Sequence, residues 1–359
     1  MITNPKGIKV LWNSRNKTKE DNLNIYGMSC REIYLSLDSI DNVSGDEFTM
    51  VDEFGNYVFY GLSRYQITGT YSVGNTSSNY LLSSLTQSGL YSTCYNPPYD
   101  GDANAFILAT QIATSSVVGV TPSIVIPAVH KLVVDLKSNG LWNKLYAIYP
   151  FVGATPSAHK YNLKDPRDLD AAFRLAFTGG FTHQPTGILP DGSSGWADTK
   201  FTPSTNLSGT SSVSLGYYSR TNDTGNRMAF SNSSGNRLFL YLNFAAGDLT
   251  IFDCYGTVGG FRASTTGIDT LGLLIGSRTT TSDSRLYKNG IQVGASQSTL
   301  NGVSPSTGTI NMFRQASPSS LFSNCECAFG FIGDGLTSGE VLILNTIVET
   351  FQDSLSRGV

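Results

Sequence analysis

Charge is scarce in this chain: Lys, Arg, Asp and Glu make up 14% of it, and 24 basic against 27 acidic side chains leave a formal net charge of −3. That balance offers a polyanion no electrostatic footprint, and no basic run or arginine-plus-aromatic stripe appears, which excludes nucleic acid as a partner. Long apolar runs are missing too. No stretch approaches the ~20 apolar residues of a membrane-spanning helix, so no membrane insertion is expected. The opening residues Met1-Ile2-Thr3-Asn4-Pro5-Lys6 are polar where a secretory signal carries an apolar core. The expectation is a protein made and folded in a cytoplasm.

Cysteine and histidine are thin. The five cysteines, Cys30, Cys94, Cys254, Cys325 and Cys327, form an odd, scattered set, which excludes a disulfide framework in a reducing compartment. Cys325 and Cys327 put two thiols on one face of a strand, and with no further ligands in view they read as buried apolar-like groups beside Phe329 and Phe331. The three histidines, His130, His159 and His183, are far apart in sequence and have no carboxylate or cysteine at ligand spacing, so no transition-metal site is expected.

Catalytic strings are absent as well. A glycanase sandwich needs two carboxylates facing each other across a glycosidic bond, commonly as Glu-x-Asp-x-x-Glu on a strand, and the chain has no such string. Its dense acids, Asp46-Glu47 and Asp52-Glu53, flank a hairpin and read as solvated turn charges. Gly192-Ser193-Ser194-Gly195 has the wrong spacing for a nucleophile elbow, and there is neither a phosphate loop nor a His-Glu-x-x-His. The expectation is a protein that is not an enzyme.

What is abundant is turn and strand material: 37 Gly, 18 Tyr and 19 Phe, together with many Ser, Thr and Asn, a mixture that suits short strands joined by tight turns. At 359 residues the chain has material for one large sandwich core and a smaller second unit. The fold class expected is all-β with a few helices: an antiparallel jelly-roll β-sandwich preceded by a small N-terminal β domain.

Along the chain, Ile8-Lys9-Val10-Leu11-Trp12 fits a first strand or an arm that orders on a partner. Residues 32–37, 48–51 and 57–60 are strand-like, with Gly55-Asn56 marking a hairpin. Residues 71–104 are rich in Ser, Tyr and Gly, and Asn96-Pro97-Pro98 breaks the pattern, which places a linker there and a boundary after 104. Val129, Leu132, Val133 and Leu136 predict a helix over 128–138, and Asp165-Pro166-Arg167-Asp168 predicts a short one over 166–172. Strands follow at 173–177, 213–218, 227–230, 238–242, 249–252, 271–275, 286–293, 310–313 and 325–332. Thr337-Ser338-Gly339-Glu340 is a capping box ahead of a stripe, Val341, Leu344, Val348, Phe351 and Leu355. That stripe fits packing on its own sandwich, with a self-associating seam as the alternative.

Six segments stand in a telling order: Val-Val-Asp-Leu-Lys at 133–137, Tyr-Pro-Phe-Val-Gly at 149–153, Asn-Leu-Lys-Asp-Pro-Arg at 162–167, Gly-Trp-Ala-Asp-Thr at 195–199, Tyr-Lys-Asn-Gly at 287–290 and Ile-Gly-Asp-Gly-Leu-Thr at 332–337, with Leu355-Ser356-Arg357 closing the run. Across residues 105–359 the chain resembles the laminin-G-like, concanavalin A-like jelly-roll domain of bacteriophage structural proteins. The resemblance implies a virion component, a fibre, spike or decoration protein, whose partners are other virion proteins, its own copies in a homo-oligomer, and host surface polysaccharide. By position, residues 1–104 would attach it to the particle or oligomerise it. A lectin without a virion role and a glycan-degrading enzyme are the alternatives.

For a glycan, Trp196, Tyr217 and Tyr218 are the candidate aromatic contacts, with core packing the competing role for Trp196. No organic cofactor is expected. Laminin-G-like modules sometimes hold calcium at the sandwich rim, and Asp191, Asp198 and Asn206 are the candidate ligands, set against the ordinary habit of Asp and Asn in turns of bonding their own backbone.

Overall fold

The computed structural model describes residues 9–14, 17–21, 47–51, 57–63 and 100–359, apart from 210, 245–247, 257–261, 299–303 and 317–318. Contacts divide the chain into two compact units, Met1–Tyr99 and Asp100–Val359. In the first, β1 (Lys9–Ser14), β2 (Lys17–Asp21), β3 (Glu47–Val51) and β4 (Tyr57–Ser63) form an antiparallel sheet in the order β2-β1-β3-β4. The predicted pairing of 48–51 with 57–60 is present as β3 on β4. The strand predicted at 32–37 and the linker up to residue 99 lie outside the described residues.

The second unit opens with a helix where the linker was expected to continue. Asp100 caps α1 (Gly101–Thr110), its carboxylate accepting from the Asp102 N–H at 2.9 Å, and Ala103, Phe106, Ile107 and Thr110 form the buried face. α2 (Pro122–Ser138) starts six residues before the predicted 128. Pro122 occupies the first helical turn, where a missing N–H costs nothing, while Pro127 sits inside and removes one i→i−4 bond. The helix predicted over 166–172 does not form. Arg167 closes on the Asp165 side chain (Nε–Oδ1 2.7 Å), and only a 3₁₀ turn, Asp170–Ala172, follows. The cause is Asn162, whose enclosed side chain accepts from the N–H groups of Ile148 and Lys164 and donates to the carbonyls of Tyr146 and Ala172, holding this loop in an irregular path.

Two antiparallel sheets make the sandwich. One comprises β5 (Leu145–Tyr149), β7 (Phe181–Gln184), β8 (Gly187–Pro190), β10 (Val213–Ser219), β15 (Gly272–Thr280), β16 (Asp283–Lys288), β17 (Ile291–Gln297) and β19 (Cys327–Gly333), in the order β17-β16-β15-β10-β19-β8-β7 with β5 also on β19. The other comprises β6 (Ala176–Thr178), β9 (Trp196–Asp198), β11 (Arg227–Asn232), β12 (Arg237–Phe244), β13 (Leu249–Gly256), β14 (Arg262–Thr266) and β18 (Ile310–Met312), in the order β14-β13-β12-β11-β18-β9-β6. This is the predicted jelly-roll architecture, and the strands expected between 213 and 332 are present with shifted ends. The strand placed at 173–177 begins only at Ala176, because Phe173 takes the left-handed conformation (φ 59°) that ends the preceding 3₁₀ turn. The β16–β17 turn has Asn289 and Gly290 at φ 48° and 80°, the paired positive angles of a type I′ hairpin.

Between the sheets lies one core, with Leu215, Tyr217, Phe230, Leu240, Phe252 and Leu286 among its members. Gly276 on β15 gives up its side chain to the Phe252 ring: a Cβ there would lie 2.2 Å from that ring. The outer faces are treated differently. α3 (Ser338–Ser354) carries the predicted capping box and buries Val341, Leu344, Ile347, Val348 and Phe351. It lies over β15 and β17 and against α2, and its Phe351 meets Phe329 edge-on at 6.3 Å. The stripe is therefore used within the unit, and the central strands β10 and β19 of the eight-stranded sheet are buried on both faces.

Candidate functional site

Among the described residues no helix packs extensively on the seven-stranded sheet, and its outer face meets solvent at the two ends, β6–β9 and β14, while β11, β12 and β13 are buried on both sides. Part of that face is closed by the chain itself. Phe313 (φ 72°) ends β18 with its ring in the core, and the segment that follows crosses the sheet, Leu321 packing on Met228, Phe239, Tyr241 and Ile251.

What stays open centres on Trp196. Strand alternation puts Ala197 in the core and Trp196 and Asp198 outward, and the register sets Thr178 beside Trp196 and Asn311 beside Asp198. The half-exposed indole is not a core plug: the Arg314 guanidinium lies 3.3 Å from its ring centroid. Arg314 is fixed there by donating from Nε and Nη2 to Asn311 Oδ1 (3.3 and 3.0 Å) and from Nη1 to Ser319 Oγ (3.1 Å). Partial burial pulls its pKa below the usual arginine value, with the Asp198 carboxylate acting in the opposite direction. Asp198 in turn accepts from the Lys200 N–H (2.8 Å) and ammonium (3.2 Å). The result is an aromatic ring clamped by a cation, with a carboxylate and a lysine alongside. Such a surface can stack on the C–H face of a sugar and bond its hydroxyls.

Two other predicted contacts are misplaced. Tyr217 and Tyr218 have no exposed surface: Tyr217 faces the core and donates to the Cys325 carbonyl at 2.7 Å, while Tyr218 lies beneath α3 and donates to Glu349 Oε2 at 3.0 Å. Neither ring has a face to offer a sugar, because β10 is central in the helix-covered sheet. The residues missed are Arg314 and Asn311. Nothing local marks them, since they reach Trp196 only through the pairing of β18 with β9.

The three candidate calcium ligands each serve their own loop. Asp191 Oδ1 accepts from the N–H groups of Ser193, Ser194 and Gly195, and its Oδ2 from the Ser194 hydroxyl; these bonds, that of the Ser194 side chain foremost, hold its pKa well below the usual carboxylate range. Asp198 is engaged with Lys200, and Asn206 Oδ1 accepts from the Thr202 N–H at 2.7 Å. Among the described residues, no group of three or more His, Cys, Asp or Glu is placed to hold a metal.

The thiols of Cys325 and Cys327 are enclosed, and burial pushes the first up to about 11. His159 and His183, distant in sequence, meet Nδ1 to Nδ1 at 3.1 Å inside a cluster with Phe151, Phe177 and Phe181.

No family model and no curated protein matches the chain. Among solved structures it is similar to domain 4 of an extracellular arabinanase from Geobacillus stearothermophilus, in complex with arabinotriose (13% identity, 56% of this chain and 98% of that one, TM-score 0.38). It is also similar to the binding domain of botulinum neurotoxin DC in complex with rat synaptotagmin II (12%, 58% and 52%, TM-score 0.39) and to a Trypanosoma rangeli sialidase mutant displaying trans-sialidase activity (10%, 65% and 40%, TM-score 0.37). At that similarity none of them assigns a ligand or an activity to this chain.

Proposed function

We propose that the chain is a non-enzymatic bacteriophage virion protein, a fibre, spike or decoration component, whose sandwich contacts host surface glycans through the outer face of its seven-stranded sheet. The observation that carries the glycan contact is Trp196: a half-exposed indole on a strand, stacked by Arg314 and bordered by Asp198 and Lys200. The virion role is supported by the order of the six phage-type segments from 133 to 337. Residues 1–99 are then the part that joins the particle or further copies of the chain.

A binding role is favoured over hydrolysis by the state of the acids on this face. Glycoside hydrolysis needs two carboxylates free to act on opposite sides of one bond. Asp198 is engaged by Lys200, and Asp253 is clamped by Arg262 at 2.7 and 2.8 Å.

Adsorption of the purified full chain to host cells and to extracted surface polysaccharide tests the reading. Trp196→Ala is expected to abolish binding while Tm moves by no more than about 2–4 °C, the scale of a half-exposed change. Unchanged binding removes the site, and an unfolded variant assigns Trp196 to the core. Presence at fixed copy number in purified particles separates a virion protein from a free lectin, and release of reducing sugar would instead indicate an enzyme.

A further inference from the structure

We propose that the sandwich encloses one halide-sized anion, held between its two sheets by Arg278, Tyr255 and Ser284. The inward side of β15 runs Leu274, Gly276, Arg278, so a guanidinium occupies a core position, and Arg278 has no exposed surface. Its Nε donates to the Thr280 carbonyl at 3.1 Å, Nη1 has the Cys254 sulfur at 4.0 Å, and Nη2 has no partner. Among the described residues, no carboxylate forms an ion pair with it. Asp334, a nearby acid, accepts from the Tyr146 and Ser208 hydroxyls, each at 3.1 Å.

Two more enclosed polar atoms without partners belong to the same place. Ser284 stands directly opposite Arg278 in the β15–β16 ladder, hence on the same face of the sheet, and its hydroxyl is unbonded. Tyr255 comes from β13 in the other sheet; its ring centroid is 5.6 Å from the guanidinium carbon, and its hydroxyl is also unbonded. The backbone is arranged to bring that phenol in. Arg237 pairs with Gly256 and Leu238 with Cys254, so Tyr255 is the extra residue of a bulge, and its φ of 58° lies in the left-handed region. Bulges re-aim side chains, and this one lets Cys254 and Tyr255 both face the core.

Three enclosed donors without acceptors thus stand in neighbouring positions around a positive charge that no described carboxylate pairs. Burial pushes the Cys254 thiol up to about 12, so it supplies no counter-charge, and burial likewise keeps Tyr255 a neutral phenol. An arginine has only donors to give, and a buried charge is paired or costly. A water would accept two of these bonds and leave the charge standing, whereas a halide accepts them all and balances it. The full enclosure of all three residues favours a monatomic ion over an oxyanion.

The full chain purified and crystallised with bromide in place of chloride provides the test. An anomalous peak in hydrogen-bonding contact with Arg278 Nη2, Tyr255 Oη and Ser284 Oγ is expected, and it should disappear in Tyr255→Phe, which keeps the ring and the bulge. In solution, Tm should rise and saturate with chloride against gluconate at constant ionic strength, and lose that dependence in Tyr255→Phe and in Ser284→Ala. Absence of the bromide peak from wild type, with electron density at the level of a water in its place, overturns the proposal whatever the salt dependence of Tm.

Discussion

Arg357 shows what a single side chain contributes after α3 ends. Enclosed, it donates from Nε to Gln352 Oε1 (2.9 Å), from Nη1 to the Phe151 carbonyl (2.9 Å) and from Nη2 to the carbonyls of Pro150 and Ala328 (both 3.2 Å), so it ties the segment beyond the helix to the ends of β5 and β19. Burial, seconded by neighbouring Arg220, brings its pKa down to about 9. Replacing it with Leu keeps apolar bulk but removes the donor from three backbone carbonyls and from the Gln352 side-chain oxygen. The expected loss is roughly 3 kcal/mol, read as a lower urea midpoint at unchanged slope; a loss under about 0.5 kcal/mol would mean that water replaces the guanidinium without cost. Residue-scale features of this kind are only partly legible in the sequence. Trp196 is identifiable from its place at the start of a strand, but its stacking partner Arg314 depends on strand pairing. Tyr217-Tyr218 reads as a surface aromatic pair because alternation puts one of two neighbours outside, and alternation does not reveal that a helix covers that outside.

At the scale of elements, the local rules that hold are those with a self-contained chemistry. The Thr337 hydroxyl accepts from the Glu340 N–H at 3.3 Å while Glu340 Oε2 accepts from the Thr337 N–H at 2.9 Å, and the Lys144 ammonium closes on the same carboxylate. Thr337→Ala should therefore cost about 1 kcal/mol, and Glu340→Ala somewhat more because Lys144 loses its partner too; thermal melts of the two variants and their double mutant measure the coupling. The Asn289-Gly290 turn is equally readable, since its two positive φ angles admit few other residues. α1 is not, because Gly101, Asp102 and Asn104 mask its apolar positions behind a Pro-Pro breaker. The start of α2 is misread in the sequence since each of its two prolines makes an acceptable first-turn residue, and only the burial of Val125 and Ile126 decides between them. β5 is short and its partner β19 lies far away in sequence, while β7 and β8 are four-residue strands of one tight hairpin, too brief for alternation to register.

For the whole molecule, the two sheets are covered by different means: α3 lies over one, and the segment around Leu321 closes the middle of the other. Sealing has a consequence in acid. His130 and His183 are pushed down to about 4, and His159 well below its usual value, in each case foremost by burial. All three are neutral in the fold, while in the unfolded chain they protonate near pH 6.5. Between about pH 6.5 and 4 the unfolded state therefore binds protons that the folded state refuses, and stability falls as pH falls. The carboxylates held low by partners, Asp165 and Asp168 among them, add their loss only below about pH 4. The expected profile is a plateau above pH 7, a decline beginning near 6.5 and a steeper one below 4. The His159–His183 contact makes the first decline specific. His159 Nε2 accepts from the Ala154 N–H at 3.2 Å, so its ring proton sits on Nδ1 and is donated to His183 Nδ1. Protonating His183 sets two N–H groups against each other and breaks that bond. His183→Phe, which fits the surrounding Phe177 and Phe181 rings, should make the slope between pH 6.5 and 4.5 shallower than in wild type when urea midpoints are measured across the range; parallel slopes in the two proteins would show that the pair does not carry the acid sensitivity.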